Sequence, residues 1–228
     1  DLGFGVDGVV RPEGDNVDTA DERVLAAFTH QVNGQEQLVL LGEKEESEGV
    51  WVPKRWFSGS QEGAAPIDQL QVLDIGDDVT SIFGELAAPL FFLDDGEGGR
   101  APDVRIMGGV GLSNGRWIEV GTHRDNATGN PKGYFALMSR NNEDNIVTLH
   151  SYGHFDRIFG AQGGIVDIDY SIASGVAFFD DPNPELSDRV YVSGAVNEGG
   201  GEPDKAVVFV LSLSGDQLTF DGNAQVGH

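Results

Sequence analysis

The stretch Ile158–Leu213 reads IFGAQGGIVDIDYSIASGVAFFDDPNPELSDRVYVSGAVNEGGGEPDKAVVFVLSL, and it decides the fold. Four apolar pieces stand out: Ile158–Val166, Gly175–Phe179, Arg189–Gly194 (RVYVSG) and Lys205–Leu213 (KAVVFVLSL). Each is short, rich in β-branched and aromatic residues, and bounded by Gly, Pro, Asp or Asn, the pattern of strands joined by turns. The unit is four strands without a helix.

Working outward, the same unit recurs upstream. Phe-Gly occurs at Phe4-Gly5, Phe83-Gly84 and Phe159-Gly160, spaced by 79 and 76 residues. An apolar strand closing on glycine recurs as Leu38–Gly42 (LVLLG), Trp117–Gly121 (WIEVG) and Val190–Gly194 (VYVSG), its glycines 79 and 73 apart. A further strand follows each copy, at Val50–Phe57, Gly133–Ser139 and Lys205–Leu213. A connecting piece comes next, at Gln69–Asp74, Asn145–His150 and Gln217–Asp221. Two independent markers thus agree on a period of about 76 residues, which signals a repeat architecture. The expectation is one all-β domain over 1–228, with repeats of roughly 1–80, 81–156 and 157–228. Asp21–His30 is the best helical window, but in repeat register it aligns with Val104–Gly111 and Gly175–Phe179, so strand is preferred there.

Composition bounds the partners. The chain has 228 residues, a net charge of −24 and no cysteine. Such a field repels nucleic acid and anionic membranes. Asp outnumbers Glu 23 to 15 and Arg outnumbers Lys 10 to 4, a balance suited to cation binding, a salty habitat or a very soluble surface. The missing thiols exclude disulfides, zinc–thiolate sites and thiol catalysis. No apolar run is long enough to span a bilayer and no signal peptide is seen. The opening Asp1-Leu2-Gly3-Phe4-Gly5 falls inside a motif, which suggests a processed or excised N-terminus.

The segment Phe135–Val166 (FALMSRNNEDNIVTLHSYGHFDRIFGAQGGIV), continued by Arg189–Val196, resembles the delta-60 repeat family of bacterial β-propellers. The matching residues are Phe135, Ala136, Leu137, Arg140, Asn141, Asp156, Phe159, Gly160, Gly163, Val166, Val190, Val192 and Gly194. The middle copy, Phe83–Pro89, lacks the second glycine. The resemblance implies a propeller of four-stranded blades and no defined activity. Because the chain starts on Phe-Gly and ends on the piece that elsewhere precedes it, strands from both termini are expected to close one blade. Three blades are fewer than the usual four to eight. Two chains could close a six-bladed ring; a β-trefoil-like three-fold fold is the alternative.

Gly111-Leu112-Ser113-Asn114-Gly115 matches G-x-S-x-G, but a nucleophile elbow needs a helix after it. Here a strand follows, and Val32-Asn33-Gly34 holds the same place in the first copy, so a hairpin turn is expected. His150, His154 and Asp156 lie within seven residues, yet Gly153 and the lack of histidine in the other copies favour turn residues over a metal site. The Asp-rich loops are the better metal candidates: Asp94, Asp95, Glu97 and Asp103 in one, Asp180, Asp181, Glu185 and Asp188 in another, offering hard oxygens for calcium or simply solvated acids. Trp51, Arg55 and Trp56 form a basic aromatic patch that would stack a sugar, anchor another subunit, or pack its own core. The main functional expectation is a non-enzymatic module, extracellular or at the cell surface, that binds itself, another protein or a polysaccharide. A lectin or glycan-active enzyme using Asp and Trp loop residues is the alternative.

Overall fold

A computed structural model describes residues 22–32, 35–47, 50–58, 70–73, 93–94, 100–101, 105–113, 115–124, 129–141, 146–159, 165–168, 170–180, 188–197 and 204–225. Three four-stranded antiparallel sheets account for most of them. The first holds β1 (Glu22–Val32), β2 (Gln35–Ser47), β3 (Val50–Ser58) and β4 (Leu70–Leu73). Two-residue strands β5 (Leu93–Asp94) and β6 (Arg100–Ala101) pair in the connection. The second sheet holds β7 (Arg105–Gly111), β8 (Arg116–Arg124), β9 (Pro131–Asn141) and β10 (Ile146–His154). A small hairpin follows, β11 (Arg157–Phe159) with β12 (Ile165–Asp167). The third sheet holds β13 (Tyr170–Phe179), β14 (Asp188–Asn197), β15 (Lys205–Ser214) and β16 (Gln217–Gln225).

Each sheet is a meander with its strands in chain order. The sheets stay separate, with no shared barrel among the described residues, which is blade organisation and not that of a trefoil. The first strands stand together at the centre: β7 packs on β1 on one side and on β13 on the other. The preferred strand over the window Asp21–His30 is found from Glu22 onward as β1, its helical appearance overridden by pairing with β2. The expected stitching of a blade from both termini falls on residues outside the described ones, since 1–21 were to supply the partner. In the third sheet the fourth strand, β16, follows β15 directly.

The glycines that mark the repeat have a physical reason. Gly42, Gly121 and Gly194 pair with Val24, Ile106 and Ala173, and in all three sheets the register slips by one residue just beyond that pair. The extra residue is Leu25, Met107 or Ser174, left on the exposed side of a β-bulge. The bulge swings a carbonyl of the first strand over the glycine. A Cβ on Gly121 would sit 2.1 Å from the Arg105 carbonyl oxygen, and one on Gly194 would sit 2.2 Å from that of Ile172. Only glycine leaves that space.

Side chains alternate between a leading face, toward the preceding sheet, and a trailing face, toward the following one. In β8 nearly every residue is buried, because the second sheet is covered on both sides. Its leading face carries Trp117, Glu119 and, from β9, Tyr134; its trailing face carries Ile118, Val120, Phe135 and Leu137. The main core forms between that trailing face and Val190, Val192, Val207, Phe209 and Leu211 of the third sheet. Phe155, in the link after β10, is driven into it and stacks on Phe209 at 3.9 Å and 12°. Its backbone is anchored there, Phe155 N donating to the Gly133 carbonyl at 2.9 Å.

Candidate functional site

Where β1, β7 and β13 end together, the three sheets border an open cavity of about 320 Å³. Its wall draws on Thr29, His30, Gln31 and Glu36 of the first sheet, Leu112, Ser113 and Arg116 of the second, and Phe178, Asp180, Asp188 and Leu213 of the third. The β1 and β7 ends are clamped to each other. Gly115, at φ 71°, turns the β7–β8 hairpin so that its N–H donates to the Gln31 carbonyl at 2.6 Å. Gly111 lies against β1 so closely that a Cβ would fall 2.0 Å from the Thr29 carbonyl oxygen. A hairpin therefore joins β7 to β8 with its turn at Gly115, and Ser113 is an exposed turn residue followed by a strand instead of a helix.

The cavity is acidic over an apolar floor. Glu36, Asp180 and Asp188 supply carboxylates, and Leu112, Phe178 and Leu213 supply the apolar surface. Arg116 donates to the Gly215 carbonyl at 2.9 Å and to Asp216 Oδ1 at 3.0 Å, so its charge is already matched. His30 is buried at the inner wall, its Nε2 2.8 Å from Gln37 Oε1 and its ring edge-on to Trp117. Such a surface suits a cationic or hydroxyl-rich ligand.

Of the expected calcium residues, Asp180 and Asp188 are brought to this one cavity, together with Glu36, which sequence reading did not single out. Asp94 is placed on β5; Asp95, Glu97, Asp103 and Asp181 lie outside the described residues. Among the described residues no three His, Asp or Glu groups stand close enough to share a metal ion. The histidines near Tyr152 are also separated. His150 bonds Ser139 Oγ at 2.7 Å, whereas His154 bonds the Tyr152 hydroxyl and packs on His123.

For Arg55, read as part of a patch that would bind at the surface or pack its own core, the surface reading is corrected: it is fully buried between the first and second sheets. Its Nε donates to Glu119 Oε2 at 2.7 Å and its second nitrogen to Oε1 at 2.5 Å, and the Tyr134 hydroxyl donates to the same Oε1 at 3.0 Å. Burial, and then the Glu119 charge, holds the Tyr134 phenol well above its usual pKa. A charged pair this deep needs close matching to persist, and Glu119 receives a two-pronged bridge plus a third donor. Trp51 and Trp56 lie on β3, Trp56 opposite Leu40 in register.

A signal for this pair was present in the sequence. With the repeat glycines aligned, Glu119 occupies the place of Leu40 and Val192, and Arg55 pairs with Leu41 as Phe135 pairs with the equivalent Val120. Two charges thus interrupt apolar positions on faces that must meet.

No family model matches the chain, and no characterised protein matches it in sequence. Among solved structures it is similar to the β-propeller domain of Vanderwaltozyma polyspora Nup133, over 90% of this chain and 48% of that one, with 8% identity and a TM-score of 0.42. The chain therefore spans about half the length of that structure.

Proposed function

We propose that the chain is a non-enzymatic binding or assembly module, extracellular or at the cell surface, that works through the outer faces of its first and third sheets. One observation carries this reading. The trailing face of the third sheet holds Tyr191 and Phe179, 40% and 52% exposed, beside Val208 and Val210, at positions filled by core residues in the second sheet. A contiguous apolar patch on so acidic a chain marks a contact surface. Calcium belongs to the same reading as a stabiliser of the Asp-rich loops. The test is a photo-activatable phenylalanine analogue at position 191, with the exposed Arg124 of the second sheet as control position. Adducts formed at 191 and absent at 124 are expected; none at 191, or equal yields at both, would overturn the reading.

The cavity favours a second reading, a lectin or glycan-active protein, since carboxylates such as Asp180 and Asp188 accept hydrogen bonds from sugar hydroxyls. Glycan-array binding lost in Asp188→Asn, with the 191 adduct unchanged, would select it.

A further inference from the structure

We infer that the partner of the exposed faces is a second copy of this chain, joined head to tail so that six sheets close one ring. The inference rests on the binding reading above and on register. Aligning Gly42, Gly121 and Gly194 makes Tyr191 equivalent to Ile118, and its cross-strand partner Val210 equivalent to Leu137. In the second sheet these positions are fully buried against the third. In the third sheet Tyr191 is 40% exposed and Val208 and Val210 are half-buried.

The opposite end is the complement. Leu38 and Leu40 of β2 are equivalent to Trp117 and Glu119, and to Val190 and Val192, all of which pack on a preceding sheet. In the first sheet Leu38 and Leu40 are only half-buried, and their neighbour Ala27 is exposed. The described sheets thus present one trailing and one leading face, the two kinds that form their internal seams. No further four-stranded sheet stands against either among the described residues.

A trailing face fits a leading face, so the contact is not self-complementary. Such contacts close when the rotation permits and otherwise polymerise. Three sheets per copy close with two copies, giving six, within the range in which radial sheets form rings. Each copy carries a net charge of −24, so mutual repulsion opposes closure and added salt screens it. Association therefore strengthens with salt, the reverse of a contact held by opposite charges.

Light scattering on the 228-residue chain tests this, with salt raised from about 20 mM to about 500 mM. The expected mass is twice 24.3 kDa, more populated at high salt. Tyr191→Arg on the trailing face and Ala27→Arg on the leading face should each weaken the dimer by about thirty-fold or more, the scale of a hot-spot loss. Both residues are exposed, and unchanged far-ultraviolet dichroism and melting of the variant monomers checks that they fold. Sensitivity to Tyr191→Arg alone would indicate a face-to-face dimer and overturn the ring. A single-chain mass at every concentration, with the position-191 adduct still forming to another protein, would overturn the second copy and leave the binding reading standing. Without that adduct both fall.

Discussion

The two seams of this molecule are built from opposite chemistry. Between the second and third sheets the contact is hydrocarbon: Phe155 stacked on Phe209, Phe135 tilted against Phe155, and valines from three strands around them. Between the first and second sheets the centre is Arg55, Glu119 and Tyr134, flanked by His30, Gln37 and Trp117. The hydrocarbon seam tolerates many packings of equal volume, because dispersion and the hydrophobic effect have little direction. The polar seam tolerates few, since each buried charge needs its partner in place. One sheet pair is held by area and the other by geometry.

The contrast can be broken at several points. The largest effect is expected for Arg55→Met, which strands the Glu119 carboxylate in the interior and should cost about 4 kcal/mol by urea denaturation. Adding Glu119→Val, the residue of the third sheet at that position, should recover most of the loss; a double variant as weak as the single one would show that the seam is not polar in its energetics. Phe209→Leu on the other seam should cost about 2 kcal/mol through lost stacking and volume. That cost should not change with pH.

Tyr134→Phe removes one bond to a charged acceptor and should cost about 1.5 kcal/mol near neutral pH. It also carries a pH signature. The folded phenol titrates above its usual value, so the unfolded chain releases that proton first as pH rises. The native chain should therefore keep its full stability below about pH 10 and lose it above, and Tyr134→Phe should flatten that alkaline decline. The smallest effect belongs to the exposed pair Arg116–Asp216, where Asp216→Asn should change stability by no more than about 0.5 kcal/mol and only at low salt.

Strands, their order and the three-fold repetition were readable because each copy alternates apolar and turn residues around a fixed glycine. The reason for that glycine, the bulge and the overhanging carbonyl, was not readable, since it needs the register of two strands. Whether Arg55 met solvent or its own core was not readable, because its neighbours Trp51, Lys54 and Trp56 fit either. Only comparison across copies shows that Arg55 and Glu119 interrupt two facing apolar columns. Asp180 and Asp188 were picked out by composition, whereas their meeting with Glu36 depends on which strand ends converge. A single sequence does not print that convergence.

The polar seam also sets a schedule. Arg55 and Glu119 are 64 residues apart, on different sheets. In a chain synthesised N-terminus first at about 5–20 residues per second, roughly 3–13 s pass between the two. In the later part of that interval, once β4 has emerged, the first sheet has all its own strands but not yet Glu119, the carboxylate that bridges its guanidinium in the folded chain. Its trailing face must stay hydrated until the second sheet arrives, which keeps Val39 and Leu41 from being sealed against a wrong neighbour. The ion pair thus acts as a clock, and a chain carrying the Arg55→Met and Glu119→Val pair would be free to close early.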